Sequence, residues 1–232
     1  LALGEEKWRT KMFGFTGLDP IKNKEFSSKE KIIKKYNLCL TQPIMLFTFH
    51  PLSSNLKKTD IEIKNTVSAI KSIVKRYNVK CLITFPNNDS GNDLIINKVN
   101  ELKNYSKNVN VFKSVGRRDY WGLLNLAREQ FKIVCVGNSS SGIKETTPFA
   151  CPTVNIGDRQ KGRAYAKNIL QTKANKIEIE KNIEKSLFNK KFLKICQNCK
   201  NPYGQGNAGK KIANVLSKIN LNEKLLVKKF NL

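Results

Sequence analysis

Histidine is almost missing from this chain: His50 is the only one in 232 residues. The six cysteines form just one C-x-x-C, Cys196 and Cys199, with no second pair at zinc-ribbon spacing. Together these shortages exclude the usual histidine- and cysteine-built metal centres, and no metal or cofactor is expected. Cys81 and Cys135 sit in apolar, strand-like runs, where a free thiol behaves as a small hydrophobe. No apolar run reaches membrane-spanning length, and no charged-apolar-small signal segment opens the chain. The expectation is a soluble cytoplasmic protein with reduced thiols and no membrane partner. Acidic residues are few, 18 against 43 basic ones, for a net charge of +25. Even so, no RGG tract, helix-turn-helix spacing or zinc-finger spacing accompanies that charge, so no nucleic-acid partner is expected. A basic nucleic-acid-binding module is kept as the alternative of a different class.

What is present is an ordinary globular balance, 40% hydrophobic and 26% charged, in a chain long enough for a substantial core. The lysines are spread evenly among many Asn and Ile and read as solvated surface. Arginine is rarer, seven in all, yet Arg117, Arg118, Arg128, Arg159 and Arg163 gather in one stretch. Arginine grips phosphate in a bidentate fashion that lysine copies poorly, so the cluster points to a phosphate site. The chain opens on Leu1 and not on Met, as a piece of a longer chain would.

Short β-rich runs alternate with helical spacing. Strands are predicted at Ile44–Phe49, Val79–Phe85, Val109–Phe112, Lys132–Val136 and Thr153–Ile156. Helices are predicted at Ser27–Tyr36, Asp60–Tyr77, Asp93–Leu102, Tyr120–Arg128 and Ile177–Leu187, with a last one around Gly209–Ile219. Ala164–Gln171 follows the fifth strand with no type assigned. This alternation predicts an α/β fold, a Rossmann-like doubly wound parallel sheet over about residues 41–200. Residues 1–40 read as a linker and helix from a missing N-terminal domain, and 201–232 as a helical tail.

In such a sheet ligands sit beyond the carboxyl ends of the strands. His50 directly follows the first strand, and Asn87, Asn88 and Asp89 follow the second. The turn Asn138-Ser139-Ser140-Ser141-Gly142 leads from a strand into a helix. There, backbone N–H groups, hydroxyls and a helix dipole could cradle a diphosphate. Glu145, three residues past Gly142, suits the two hydroxyls of a ribose, although a capping role also fits. Arg159 and Arg163 are four apart, so one helical turn would set both on one face opposite the serine loop. His50 could donate to phosphate or act as acid and base near neutral pH; a structural role is the plainer alternative.

Taken together, these segments resemble the UDP-N-acetylglucosamine 2-epimerase family, in its carboxyl-terminal half and its hydrolysing branch. The resemblance rests on Phe49-His50-Pro51, Phe85-Pro86-Asn87-Asn88-Asp89-Ser90-Gly91, Gly116-Arg117-Arg118-Asp119-Tyr120 and Gly137 through Glu145. It extends over Pro152 through Arg163, Asn201 through Ala208, and the lead Leu3-Gly4-Glu5 with Gly17-Leu18-Asp19. It implies the C-terminal domain of a GT-B fold, with a UDP-sugar substrate held against the missing N-terminal domain. By this resemblance His50 is the catalytic candidate, near the diphosphate and reacting sugar, and Asn87 lines the nucleotide pocket. Ser139 and Ser140, in the loop closed by Gly142, hold the diphosphate, Glu145 the ribose, and Arg159 the leaving group, with Arg163 a weaker match. Asn97 and Asn100 stand where regulated animal members carry arginines for feedback, a departure from the pattern.

The implied reaction eliminates UDP across C1 and C2 to a 2-acetamidoglucal, which is then hydrated to N-acetylmannosamine, as in sialic-acid-type biosynthesis. No strong candidate for the C2 base stands in these residues, so the chain alone should bind nucleotide weakly and not turn over. The non-hydrolysing 2-epimerase and hydrolysing enzymes of a diacetamido sugar nucleotide remain open at this point. A homo-oligomer is compatible with all three.

Overall fold

The computed structural model describes residues 4–39 and 41–227. Leu1, Leu3 and the predicted tail beyond residue 227 lie outside the described residues. The helices, in chain order, are α1 (Asp19–Lys22), α2 (Lys29–Tyr36), α3 (Leu56–Tyr77), α4 (Asn92–Lys103) and α5 (Arg117–Asn125). They continue with α6 (Ser140–Lys144), α7 (Lys176–Phe188), α8 (Lys190–Asn198), α9 (Ala208–Leu216) and α10 (Glu223–Leu226). The strands are β1 (Ile44–Thr48), β2 (Lys80–Thr84), β3 (Val109–Phe112), β4 (Ile133–Gly137), β5 (Thr153–Ile156) and β6 (Ile169–Thr172).

Asparagine delimits many of these elements, because its short amide both caps helices and tolerates left-handed backbone. Asn55 accepts the Lys58 N–H at 2.9 Å and starts α3 four residues before the predicted Asp60. Asn78 ends the same helix at φ 52°, and Asn175 caps α7 through the N–H groups of Ile177 and Glu178.

The six strands are all parallel, in the order β3-β2-β1-β4-β5-β6. The chain builds outward from β1 to β3, returns to β4 on the other side of β1, and builds outward again. The order therefore reverses between β1 and β4, and a crevice opens beyond their carboxyl ends. Register aligns Thr48 with both Thr84 and Gly137, and Gly137 with Asn155, so the strand-end loops emerge side by side.

Alternate residues of β1 point to opposite faces. Met45 and Phe47 join Ile63, Val67, Ile70 and Ile73 of α3 in the main core, where α3 also packs on α4 and α7. On the other face α6 packs on β4 and β5, and α5 on α2. The doubly wound, Rossmann-like α/β sheet is thus as predicted, with β6 added where Ala164–Gln171 had no assigned type.

The chain divides into two compact units, Glu25–Pro202 and Leu1–Lys24 with Tyr203–Leu232. The boundary expected at residue 40 falls at Glu25, because α2 is tied to α5. Asp119 of α5 accepts from Ser27 Oγ at 2.5 Å, Lys35 Nζ at 2.5 Å and Tyr36 Oη at 2.9 Å. In the other unit the two distant segments pair. The Asp19 carboxylate caps α9 through the N–H groups of Ala208 (2.9 Å) and Gly209 (2.7 Å). Arg9 meanwhile donates to the carbonyls of Leu225 (2.8 Å) and Val227 (2.8 Å).

Candidate functional site

The crevice beyond β1, β2, β4 and β5 collects most of the residues singled out from the sequence. His50 Nδ1 lies 2.8 Å from Asn87 Oδ1 and 3.3 Å from the Asn87 N–H, so the second strand-end loop holds the imidazole. Burial, and then the nearby Arg159 guanidinium, hold the His50 pKa below the ordinary histidine range. The imidazole is therefore neutral at pH 7 and can accept a hydrogen bond or proton.

Ser139 is the N-cap of α6, and its Oγ accepts from the Ser141 N–H at 3.4 Å and from Ser141 Oγ at 3.0 Å. Ser141 Oγ is in turn 3.1 Å from the Tyr120 hydroxyl. Glu145 lies just past α6, and its carboxylate accepts the Trp121 indole N–H at 2.6 Å. Burial raises the Glu145 pKa, opposed by that indole bond. Gly142 is buried, and a Cβ there would stand 3.3 Å from the Thr153 methyl, so it lets α6 approach β5.

A cavity of about 310 Å³ opens here, bounded by His50, Tyr120, Ser139, Ser141, Glu145 and the 113–117 loop. Its volume is in the range of small-molecule sites. Its floor is the end of the sheet, where the Thr48 and Thr84 hydroxyls meet at 2.5 Å.

Arg159 donates to the Asn138 carbonyl at 3.3 Å and pairs with Asp89 at 3.4 Å. The expected shared face with Arg163 is corrected: residues 159–162 form a turn, Gly162 takes φ 85°, and no helix runs from one arginine to the other. Arg159 is half-buried beside the β4 loop, while Arg163 is exposed. Ser140 is half-buried in the first turn of α6, and Asn87 is exposed apart from its imidazole contact.

Sequence reasoning placed Asn138 and Gln160 in the segments of interest without giving either a role, and it did not single out Trp121. Asn138 and Gln160 are each 1% exposed, and Gln160 Nε2 donates to the Asn138 carbonyl at 2.8 Å. Their signal was an uncharged polar residue in a loop after a buried strand, directly after β4 for Asn138 and four residues past β5 for Gln160. Trp121 gave a weaker one, an aromatic beside Arg117, whose guanidinium stacks 5.0 Å from its ring.

The family model described as UDP-N-acetylglucosamine 2-epimerase matches residues 1–217. A relative from Campylobacter jejuni, GDP/UDP-N,N'-diacetylbacillosamine 2-epimerase (hydrolyzing), is 36% identical over 182 residues, 77% of this chain and 44% of its own. The Legionella pneumophila UDP-N,N'-diacetylbacillosamine 2-epimerase (hydrolyzing) is 26% identical over 98% of this chain and 56% of its own. Among solved structures, the Staphylococcus aureus MnaA–UDP co-structure superposes at TM-score 0.70, with 15% identity over 100% of this chain and 58% of its own. The Methanocaldococcus jannaschii UDP-GlcNAc 2-epimerase in complex with UDP-GlcNAc and UDP gives TM-score 0.64 at 19% identity, over 92% and 56%. The structural neighbours of this chain are UDP-GlcNAc 2-epimerases of GT-B fold. The chain spans about half the length of the curated relatives it matches. On the match over residues 1–217, together with the Campylobacter likeness, this chain belongs to the UDP-N-acetylglucosamine 2-epimerase family.

Proposed function

We propose that the chain is the nucleotide-binding, carboxyl-terminal half of a hydrolysing UDP-sugar 2-epimerase. The observation that carries this reading is the convergence of His50, Asn87, Ser139, Glu145 and Arg159 on one crevice at the reversal of strand order. Elimination of UDP leaves charge on the departing diphosphate. Arg159, the Ser139 and Ser140 hydroxyls and the first turn of α6 are suited to stabilise that charge. Glu145, oriented by Trp121, is suited to accept the two ribose hydroxyls. His50, neutral and held by Asn87, would stand beside the diphosphate and the reacting sugar. The C2 base belongs in this reading to the N-terminal half, which closes the cleft over the sugar. Arg163, exposed on its turn, would reach the nucleotide only in that closed form.

Two relatives named for hydrolysing a diacetamido sugar nucleotide, one of them 36% identical, support such a substrate beside UDP-N-acetylglucosamine. The test incubates the complete protein with each nucleotide sugar in D2O and follows it by NMR. Free 2-acetamido sugar with deuterium at C2, together with UDP, is the expected result. Labelled nucleotide sugars alone would instead make the protein a non-hydrolysing epimerase. No UDP binding, with strongly salt-dependent oligonucleotide binding, would favour the basic module.

A further inference from the structure

Asn138 uses every hydrogen-bonding group it has. Its Oδ1 accepts the His50 N–H at 2.7 Å, and its Nδ2 donates to the His50 carbonyl at 2.8 Å. Its own N–H donates to the Thr48 carbonyl at 3.3 Å. Its carbonyl accepts from Gln160 Nε2 at 2.8 Å and from Arg159 Nη1 at 3.3 Å. The residue is 1% exposed, so it offers nothing to a ligand. A carboxamide has the shape and polarity of a peptide group, and here it continues the β1–β4 pairing past the end of the ladder. Gly137 makes the continuation possible: at φ 134°, a Cβ would lie 1.8 Å from the Thr48 carbonyl oxygen. Gln160 contributes its donor alone, since its Oε1 is buried without a partner among the described residues.

We propose that Asn138 is the positioning residue of this site, fixing His50 of the β1 loop and Arg159 of the β5 loop in one frame with the serine loop that follows it. The consequence for turnover rests on the nucleotide-sugar reading; the lock itself does not. Three loops from three strands otherwise share no backbone pairing beyond the sheet, and loops so placed open readily. An amide that pairs with one and accepts from another removes that freedom.

His50, the only histidine, gives a single set of imidazole signals in NMR. In Asn138→Ala those signals should shift, and the titration midpoint should rise towards the ordinary histidine value as the ring loses its burial and the Arg159 charge, the two larger effects, against the smaller opposing loss of Asn87 and Asp89. UDP affinity should fall about tenfold. Gln160→Met, which keeps volume but removes the donor, should weaken UDP binding through Arg159 and move the imidazole signals less than Asn138→Ala does. In the unaltered chain the His50 amide should exchange slowly with solvent although it lies beyond β1. This last measurement decides the matter even if Asn138→Ala fails to fold. A folded Asn138→Ala with unchanged His50 signals, or a His50 amide exchanging at loop rates, overturns the proposal. Shifted His50 signals in a chain that never binds UDP would uphold the lock and overturn the nucleotide reading.

Discussion

Glu145 and Trp121 form the most direct handle on the site at the scale of single residues. The carboxylate is raised in pKa by burial and kept in place by an indole N–H 24 positions earlier in the chain. If it accepts the ribose hydroxyls, Glu145→Ala should weaken UDP binding by about 1.5–3 kcal/mol, the worth of hydrogen bonds to a charged group. Glu145→Gln keeps an acceptor and should lose less; titration calorimetry on the two variants distinguishes them, and equal, unchanged affinities would move the ribose elsewhere. His50→Ala in the complete protein should lower turnover more than UDP affinity, whereas a structural histidine would show itself in Tm. His50 was singled out by its place directly after a strand, and Glu145 by its place three residues past the serine turn. Trp121 was not, since nothing in a linear pattern says which indole faces which carboxylate.

At the scale of elements, the strand ends carry the constraints. Gly137→Ala would force a methyl into the Thr48 carbonyl and hold a side chain at φ 134°, and should cost at least about 2 kcal/mol in denaturant unfolding. Asn55→Ala removes the α3 cap and should cost about 1 kcal/mol, with no effect on UDP affinity. The long amphipathic α3 was readable because its buried positions, Ile63, Val67, Ile70 and Val74, repeat at helical spacing. Strand β6 was not. Its four residues include Gln171, whose amide accepts from Asn155 Nδ2 at 2.5 Å and donates to the Gly157 carbonyl at 2.7 Å. A strand stabilised by polar side chains running sideways leaves no alternation to read. The arginine pair failed for a related reason: four-residue spacing implies a shared face only inside a helix, and Gly162 turns the chain instead.

For the whole molecule, acid stability separates into windows. Asp119, despite its burial, is held at about 2 by hydrogen bonds from Lys35, Ser27 and Tyr36. Its folded pKa lies below the unfolded 3.8, so its contribution is present above that value and lost as pH falls towards 2. Asp119→Asn should cost about 2 kcal/mol at neutral pH and flatten the fall in stability between pH 4 and 2, measured by urea unfolding. His50 acts higher: its lowered pKa makes the unfolded chain bind the proton first, so stability drops as pH falls below 6.5. Glu62 and Glu145, raised by burial, act oppositely from about 4.5 upward. Glu6, Glu30, Glu101 and Asp158 are lowered by their cationic or hydrogen-bonding partners and act in the same acid range as Asp119, so the difference between Asp119→Asn and the unaltered chain is what isolates its share.

The order of apolar and polar residues by itself determined the strand–helix alternation, the parallel sheet and the positions of the loops after β1, β2 and β4. Those follow from local periodicity and from the rule that parallel sheets bind at their carboxyl ends. Only the tertiary structure decided that α2 belongs with the sheet, that Arg159 packs against the β4 loop while Arg163 stays exposed, and that Asn138 bonds to His50 and Arg159. Each of these depends on which polar atoms meet in burial, between residues as far apart as Ser27 and Asp119 or His50 and Asn138. Such pairings are set by the free energy of satisfying a buried hydrogen-bonding group, and that has no period along a chain.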